Sequence, residues 1–235
     1  MKAQAVVGQA FRPARSADLK VRPTTVRYDR PNASTMKRVL DVLLSGAGLL
    51  GSLPLWGMIA AAIKIEDGGP VFFSQERVGQ FGRVFHVYKF RSMIPDAEAH
   101  VGALQASTND PRITRVGRTL RATAMDELPQ LWSIFIGDMS FVGPRALRPG
   151  EIEVMGDGAM VALEDVPGFE TRCLVPPGLT GVAQIYAARD IPRAQKFRYD
   201  RLYIRRRTFW LDVRLIGLSF WITLRGTWET RGHKF

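Results

Sequence analysis

The longest apolar stretch of the chain runs from Val39 to Ile63, between Arg38 and Lys64, and Asp41 is its only charged residue. A helix of these 25 residues would measure about 37 Å, which is long enough to cross a bilayer. The alternative, a buried helix of a soluble protein, is disfavoured by the length and by the glycines within the stretch. The pattern therefore predicts a membrane-associated helix near the N-terminus.

Pro54 lies near the centre of this stretch and cannot donate a hydrogen bond to the carbonyl of Leu50. We therefore expect a kink or reversal in which Ser52 takes up a freed carbonyl, so that Ser52 and Pro54 mark a break within the membrane. Basic residues flank the stretch on both sides, which disfavours a straight span under the positive-inside bias. Residues 37–66 are predicted to form a re-entrant helix-break-helix, with a straight span as the alternative.

The rest of the chain shows short strand patterns and amphipathic helices. Residues 71–73 and 84–90 predict a strand pair around a glycine-rich turn, and apolar residues at i, i+3, i+4 and i+7 over 128–135 predict a helix. Residues 197–225 predict helix lying in the headgroup plane, and the alternative is a core helix with an arginine-rich solvent face. Residues 1–36 lack periodicity and predict a flexible basic arm.

Charge and composition then narrow the classes of protein. The formal net charge is +11, and the excess of Lys and Arg lies at the two ends of the chain. Such ends favour a polyanionic partner, either nucleic acid or an anionic membrane surface, over a merely soluble basic surface. The apolar content of 46% excludes disorder as the main state, and the single cysteine, Cys173, excludes a disulfide scaffold. The three histidines lie far apart, which argues against a zinc site.

An acidic pair, Asp126 and Glu127, precedes the amphipathic helix, and Pro129 fits only the first turn of that helix. The helix dipole stabilises negative charge at this end, so the simplest interpretation of the pair is a helix cap. Arg145, in a Gly-Pro-Arg tripeptide, is of a type that holds phosphates, although this signal is weak alone. From the residues by themselves, a cap and a catalytic site both stay open.

Several motifs in a fixed order resemble the bacterial sugar transferase family, the small monotopic polyprenyl-phosphate phosphoglycosyl transferases. The resemblance extends from Lys37 to about Trp228, and so many motifs in the right order are highly specific. Besides the broken apolar helix, the motifs are Lys37-Arg38-x-x-Asp41, Tyr88-Lys89-Phe90-Arg91-Ser92-Met93, Asp126-Glu127-Leu128-Pro129-Gln130-Leu131, Gly137-Asp138-Met139-Ser140-x-Val142-Gly143-Pro144-Arg145 and Pro177-Gly178-Leu179-Thr180-Gly181-x-Ala183-Gln184.

The resemblance implies transfer of a sugar-1-phosphate from a UDP-sugar to undecaprenyl phosphate or a similar lipid, with release of UMP. This step would start a glycan such as exopolysaccharide, capsule or O-antigen, and it would need Mg²⁺. The resemblance implies that Asp126 is the nucleophile and forms a phosphosugar-aspartyl intermediate. Glu127 is implied beside it, as a magnesium ligand or in proton transfer, so the expected metal ligands are Asp126 and Glu127.

The resemblance also implies contacts to the sugar nucleotide. Arg121 and Arg145 are the implied phosphate-binding residues. Further contacts to the nucleotide or sugar are expected from Lys89, Arg91, Pro177, Gly178, Thr180, Gln184 and Arg189.

The expected fold is α+β and helix-dominated, with a re-entrant helix, a small strand pair and interfacial amphipathic helices. Residues 67–235 would form the catalytic domain of a monotopic protein at the cytoplasmic face of the bacterial inner membrane. The expected partners are a UDP-sugar, undecaprenyl phosphate and anionic lipids, not nucleic acid, and a homodimer is left open. Two rivals remain: a nucleic-acid-binding protein built on the basic ends, and a non-catalytic membrane scaffold of the same fold.

Overall fold

The computed structural model describes residues 31–97, 110–154, 158–188 and 191–225. The predicted α+β fold dominated by helices is confirmed. The helices are α1 (Pro31–Asp67), α2 (Arg115–Ala122), α3 (Gln130–Ile136), α4 (Phe169–Arg172), α5 (Val182–Tyr186), α6 (Arg193–Arg206) and α7 (Phe209–Arg225). The strands are β1 (Phe72–Val78), β2 (Val84–Phe90), β3 (Ser140–Val142), β4 (Ile152–Val154), β5 (Met160–Ala162) and β6 (Gly178–Thr180).

The first helix begins inside the segment that we predicted to be a flexible arm. Residues 1–30 of that arm lie outside the described residues, but α1 starts at Pro31, before the predicted boundary at residue 36. Proline is favoured at the first helical position because its fixed φ suits a helix and its missing N–H needs no partner there. The apolar run is therefore the interior of a longer helix.

α1 is a single helix of 37 residues that continues through Pro54. The predicted break at this proline is not seen, because helical hydrogen bonding continues on both sides of it. Ser52 nevertheless takes up a neighbouring carbonyl: its hydroxyl donates to Leu49 O at 3.3 Å and accepts a hydrogen bond from Trp56 Nε1 at 3.0 Å. Such side-chain bonds let a proline remain inside an apolar helix. Among the described helices, α1 is the one long and apolar enough to cross a membrane.

A buried polar network, which we call the α1–α7 network, holds the N-terminal half of α1. Lys37 Nζ donates to Asp212 Oδ2 at 2.9 Å, and Tyr203 Oη donates to Asp212 Oδ1 at 2.8 Å. Asp41 Oδ1 accepts a hydrogen bond from the backbone amide of Phe141 at 3.0 Å. The only charge of the apolar run therefore ties α1 to β3, and the network joins α1, α6 and α7.

The C-terminal half of α1 packs against another part of the same body. Ile59 and Ile63 are buried in a cluster with residues of β2 and α2. Glu66 accepts hydrogen bonds from the first two backbone amides of α2, at 2.6 and 3.1 Å. Asp67, the last residue of α1, forms an ion pair with Arg91. Both ends of α1 are thus attached to one globular unit.

Between these attachments α1 presents apolar side chains to the exterior, and two other helices do the same. Leu50 is 73% exposed and Met58 is 63% exposed. The exposed apolar side chains of α3 and α7 are Trp132, Phe135, Ile136, Trp210, Val213, Phe220, Trp221 and Leu224. Apolar surface on this scale is typical of a contact with a membrane or with another protein. We refer to these surfaces of α1, α3 and α7 as the exposed apolar faces.

The β1–β2 hairpin carries one side of the site. Its antiparallel register pairs Phe73 with Lys89 and Arg77 with Phe85, so all four side chains lie on one face. The second strand matches the predicted 84–90, whereas the first continues to Val78, well past the predicted end at Phe73. The apolar pattern ends at Phe73 because polar residues follow it in the sequence. The strand pairing nevertheless continues through these polar residues.

Residues 197–225, predicted as one amphipathic segment, form most of α6 and all of α7, separated near Arg207. α7 buries Leu215 and Ile222 in the core while it exposes Trp210 and Phe220. Its outer face is therefore apolar as well as basic. β3 and β6 pair in parallel beside α7 and carry two of the predicted motif segments into the site.

Candidate active site

The acidic pair lies on a short 3₁₀ turn, Met125–Glu127, between α2 and α3. Ala124, just before the turn, has a φ of 54°, a left-handed conformation that changes the direction of the chain sharply. α3 begins with Pro129 as its N-cap, and no side-chain hydrogen bond caps either the turn or α3. The interpretation of Asp126 and Glu127 as a helix cap is therefore wrong.

Lys89 of β2 is the cation that both carboxylates face. Its Nζ forms an ion pair with Glu127 Oε1 and lies 3.9 Å from Asp126 Oδ2, too far for a hydrogen bond. Arg145 Nη2 lies 3.8 Å from the same Glu127 oxygen. Glu127 is therefore the anchored carboxylate, whereas Asp126, only 8% exposed, is held near cations without being bonded to Lys89.

The environment separates the two carboxyl groups electrostatically. Burial raises the pKa of Asp126 to about 6, and the negative charge of Glu127 adds to this against the positive charges of Lys89, Arg121 and Arg145. Burial also acts to raise the pKa of Glu127, but the charges of Lys89 and Arg145 and the hydrogen bonds from Lys89 and Gln130 outweigh it and lower this pKa to about 2. At neutral pH Asp126 is thus ionised yet more basic than an ordinary aspartate.

The backbone around Arg145 is held from two sides by buried or half-buried arginines. Arg172 Nη2 donates to the carbonyl of Arg145 at 2.6 Å, and Arg77 Nη1 donates to the carbonyl of Ala146 at 3.0 Å. Arg172 is itself fixed by Asp200, with 3.0 Å between Nε and Oδ2. The side chain of Arg145 is 51% exposed. The backbone of this segment is therefore fixed, while the guanidinium beside Glu127 is accessible to a ligand.

Close backbone packing completes this side of the site. A Cβ on Gly178 would lie 2.0 Å from the amide nitrogen of Gly143, so only glycine allows β6 to approach the Gly-Pro-Arg segment. Gly178 N also donates to Pro144 O at 2.8 Å. These groups enclose a small cleft with a polar floor. It is lined by Arg77, Val87, Lys89, Glu127, Gln130, Met139, Arg145, Ala146, Gly178 and Leu179.

The acidic pair fits Mg²⁺ better than a transition metal. Within the described residues there is no cluster of three or more His, Cys, Asp or Glu side chains that could enclose a metal ion. Mg²⁺ commonly uses only one or two carboxylates and completes its coordination with water and substrate phosphates. Asp126 and Glu127 supply such hard oxygen ligands on adjacent residues. A cation at this position would also lower the raised pKa of Asp126.

Comparison with known proteins assigns the chain to a family. The family model described as bacterial sugar transferase matches residues 32–226, which include every element of the cleft. The chain belongs to the bacterial sugar transferase family. Its acidic turn, its Gly-Pro-Arg segment and its β6 loop are therefore parts of a shared sugar transferase architecture.

Relatives within the sugar transferase family carry informative names. The chain is 41% identical over 188 residues to the undecaprenyl-phosphate glucose phosphotransferase of Komagataeibacter xylinus, covering 78% of this chain and 35% of that protein. It is 37% identical over 199 residues to a UDP-N-acetylgalactosamine-undecaprenyl-phosphate N-acetylgalactosaminephosphotransferase of Aeromonas hydrophila, covering 83% and 45%. It is 40% identical over 186 residues to the exopolysaccharide production protein PSS of Rhizobium leguminosarum bv. phaseoli, covering 77% and 91%. The chain thus spans less than half of the first two relatives.

The structure brings together several residues that the motifs single out and leaves others apart. Glu127, Lys89 and Arg145 line the cleft with Gly178. Asp126 is not a lining residue but lies 3.9 Å from Lys89, and the charge of Arg121 on α2 acts on it. By contrast, Arg91 is buried away from the cleft, where it binds Asp67 and the carbonyls of Pro70 and Met93. The predicted contact Arg189 lies outside the described residues.

The remaining motif residues support the backbone of the site. Thr180 is buried and its hydroxyl bonds to Ser219 of α7, and Pro177 O accepts a hydrogen bond from Ser140 N at 2.9 Å. Gln184 Nε2 donates to Gly143 O at 3.3 Å. A direct contact to nucleotide or sugar from any of the three stays a prediction, since their described contacts are to the protein itself.

Two cleft residues were missed by the sequence reasoning. Arg77 falls beyond the predicted end of the first strand, and Gln130 was counted only as part of a motif. The alternation of side chains along a strand could have identified Arg77. Extending the first predicted strand to Val78 and pairing it with residues 84–90 would have placed Arg77 on the same face as Lys89. Gln130 follows Pro129 directly, where the first turn of α3 faces the acidic pair.

Proposed function

We propose that this chain transfers a sugar-1-phosphate from a UDP-sugar to a polyprenyl phosphate of the undecaprenyl type and releases UMP. The single observation that carries the proposal is the buried Asp126, with its raised pKa, 3.9 Å from Lys89 of a cleft that Lys89 and Arg145 line. The names of the relatives supply the class of donor and acceptor. The product would start a bacterial glycan such as exopolysaccharide, capsule or O-antigen.

In the first step, the carboxylate of Asp126 attacks the phosphorus that bears the sugar. The new bond joins this phosphorus to a carboxylate oxygen, and the bond to the UMP oxygen breaks with its electron pair leaving on UMP. The charges of Lys89, Arg121 and Arg145 reduce the repulsion between an anionic nucleophile and an anionic diphosphate. A carboxylate with a raised pKa is also the better nucleophile, and at neutral pH it needs no base.

In the second step, an oxygen of the lipid phosphate attacks the same phosphorus, and the bond to the Asp126 oxygen breaks. This restores the carboxylate and gives a lipid-linked sugar diphosphate. The covalent intermediate divides one transfer between two large anions into two smaller steps at the same site. Within this scheme we assign Mg²⁺ to Asp126 and Glu127, where it would neutralise phosphate charge.

We further propose that α1 enters and leaves the membrane from the cytoplasmic face. Lys37 at one end and Glu66 at the other are bonded to the same globular unit, so a bilayer between the two ends is not compatible with these contacts. Pro54, which lacks an N–H, lies between them among exposed apolar residues, and we propose that the helix curves there without breaking. The exposed apolar faces would then rest in the lipid, with the basic side chains at the headgroups.

The decisive experiment is isotope exchange in the absence of lipid. The purified protein in detergent is incubated with Mg²⁺, labelled UMP and, in turn, UDP-glucose, UDP-galactose or UDP-N-acetylgalactosamine. We expect label to enter one of the UDP-sugars, because the first step is reversible and needs no acceptor. Asp126→Asn should abolish exchange, whereas Asp165→Asn, at an exposed aspartate of another 3₁₀ turn, should retain it.

Two results would count against the proposal. Lipid-linked product without exchange from the same UDP-sugar would exclude the aspartyl intermediate. Full activity of Asp126→Asn would remove the catalytic role of the turn and favour the alternative of a non-catalytic membrane scaffold.

A further inference from the structure

Arg77 is a half-buried arginine that the family motifs do not explain. It lies in β1, on the hairpin face that also carries Lys89, and it lines the cleft together with Arg145. Its Nη1 donates to the carbonyl of Ala146, and its Nη2 donates to Gln75 Oε1. Both acceptors are neutral. A guanidinium has five N–H groups, so these two bonds leave donors that are not accounted for.

The charge of Arg77 is only partly compensated by the protein. Within the described part of the chain no ion pair joins its guanidinium to a carboxylate within 4.0 Å, and the charges of Arg145 and Arg148 act on it more strongly than the opposing charges of Glu151 and Glu127. Burial and these two like charges lower the pKa of Arg77 to about 10. A partly buried cation beside other cations is unfavourable unless an anion joins them. The arrangement is that of an anion site.

A second cleft residue also has unused hydrogen-bonding capacity. Gln130 is 5% exposed, and its Nε2 interacts with the carboxylate of Glu127, whose pKa it helps to lower, but forms no hydrogen bond of good geometry among the described residues. A buried amide donor without a partner costs free energy, so natural proteins rarely leave one. Gln130 lines the same cleft as Arg77. Both residues therefore offer unused donors to whatever occupies the cleft.

We propose that Arg77 binds the diphosphate of the sugar nucleotide directly and that Gln130 donates a further hydrogen bond to the same ligand. The inference rests on the proposed function and adds two substrate contacts to it. A diphosphate fits because its oxygens accept several hydrogen bonds and its negative charges match Arg77, Lys89 and Arg145. Arg77 would stabilise charge on the departing nucleotide phosphate while its bond to Ala146 keeps Arg145 in place.

The test uses UDP as the probe, because UDP carries the diphosphate but no sugar to transfer. Its affinity is measured by calorimetry on the full chain in detergent, with and without Mg²⁺, for the wild type and for Arg77→Gln. We expect Arg77→Gln to bind UDP about 10-fold to 100-fold more weakly. Arg77→Lys, which keeps the charge but not the fork, should lie between the two. The affinity for uridine should be unchanged in both variants.

Arg83→Gln is the matched control, because Arg83 is an exposed arginine of the same hairpin and does not line the cleft. It should bind UDP like the wild type. The salt dependence of UDP binding should become shallower in Arg77→Gln and stay unchanged in Arg83→Gln, since screening acts on charge pairs. Loss of a purely structural bond to Ala146 would not change this slope. Gln130→Met, of similar size, should weaken UDP binding several-fold.

Three results would overturn the inference. UDP affinity in Arg77→Gln within twofold of the wild type would limit Arg77 to holding Ala146, while the exchange assay could still support the proposed function. Equal weakening for UDP and uridine would point to general loosening of the cleft. Wild-type protein that binds UDP no better than uridine would remove the diphosphate site itself.

A measurement on the unmutated protein guards against a variant that does not fold. Phenylglyoxal labels accessible arginines, and peptide mapping gives the extent of labelling at Arg77 and Arg83. We expect UDP to protect Arg77 and not Arg83. Equal labelling of Arg77 with and without UDP would contradict the inference.

Discussion

The α1–α7 network and the candidate active site both bury charged side chains, but these side chains differ in how many hydrogen bonds the protein makes to them. In the network, Asp212 accepts hydrogen bonds from Lys37 and from Tyr203, and Asp41 accepts one from a backbone amide. At the cleft, Asp126 lies 3.9 Å from Lys89, and the amide of Gln130 forms no hydrogen bond of good geometry among the described residues. In the network the charged groups are bonded to other groups of the protein, whereas the cleft has hydrogen-bond donors left for a ligand. We expect this difference to separate structural charges from catalytic ones.

The strongest test of this difference is to replace one aspartate in each region with asparagine and to measure both turnover and stability. Asp126→Asn should lower the release of UMP by about 10⁴-fold or more, because the amide cannot form the covalent intermediate. Its melting temperature at pH 7 should not fall below that of the wild type, since a buried charge has been removed. A large loss of stability with modest loss of turnover would show that Asp126 is structural.

The matched change is Asp212→Asn in the α1–α7 network. Removing one partner of a buried ion pair leaves Lys37 uncompensated, and we expect a loss of about 3 kcal/mol in the free energy of unfolding. UMP release by the remaining folded protein should be close to normal. Denaturation in detergent followed by fluorescence, with activity measured on the same samples, checks both. Unchanged stability would mean that the network does not anchor α1.

A smaller effect is expected from Arg145→Ala. Its guanidinium is half exposed and lies 3.8 Å from Glu127, so it can reach the diphosphate without supporting the core. Loss of one charge-stabilising donor should reduce kcat about 100-fold, with little change in melting temperature. The exposed Arg83→Ala is the control and should keep full turnover. If Arg145→Ala turns over normally, Arg145 belongs to the structural charges.

The mildest probe of the comparison is pH. Asp126 must be ionised to attack, and its pKa is raised from 3.8 to about 6, so turnover should be full above this value. Below it the rate should fall about tenfold per pH unit, whereas an ordinary aspartate would keep its activity down to about pH 4. A rate profile of the exchange reaction between pH 4.5 and 8 measures this. A flat profile down to pH 5 at every Mg²⁺ concentration would contradict the raised pKa, whereas a profile that flattens only as Mg²⁺ is added would show that the cation lowers it.

Stability should respond to the same group with the opposite sign. Because the folded protein holds the proton of Asp126 more tightly than the unfolded chain, the contribution of this group to stability is lost as pH rises through about 4 to 6. Asp126→Asn should abolish that part of the pH dependence. Melting curves of both proteins over this range supply the comparison.

The sequence predicted the cleft better than the elements that build it. Glu127, Lys89 and Arg145, which line the cleft, and Asp126 beside Lys89 were singled out by the resemblance to the sugar transferase family, whereas the residues alone favoured a helix cap. Arg77 was missed because apolar alternation ends at Phe73, and a strand that turns one face to a polar cleft gives no apolar signal beyond that point.

Local rules also failed where tertiary contacts decide the conformation. The acidic pair has the composition of a helix cap, but Lys89 on a distant strand draws the side chains away from the backbone of α3. In α1, the proline rule predicted a break, yet the helix is continuous, with Ser52 bonded to Leu49 and Trp56 beside Pro54. Neither outcome can be read from the residues next to it in sequence.

The attachment of α1 at both ends also limits how far the protein can be shortened from its N-terminus. Ile59 and Ile63 fill part of the hydrophobic interior, and Lys37 neutralises an aspartate buried between other helices. A shortened protein that starts after Asp67 would expose the apolar cluster around Ile59 and Ile63 and would leave the buried carboxylate of Asp212 without its lysine. Deleting the apolar helix should therefore not yield a stable soluble domain, because the helix that we propose to contact lipid is also part of the hydrophobic core.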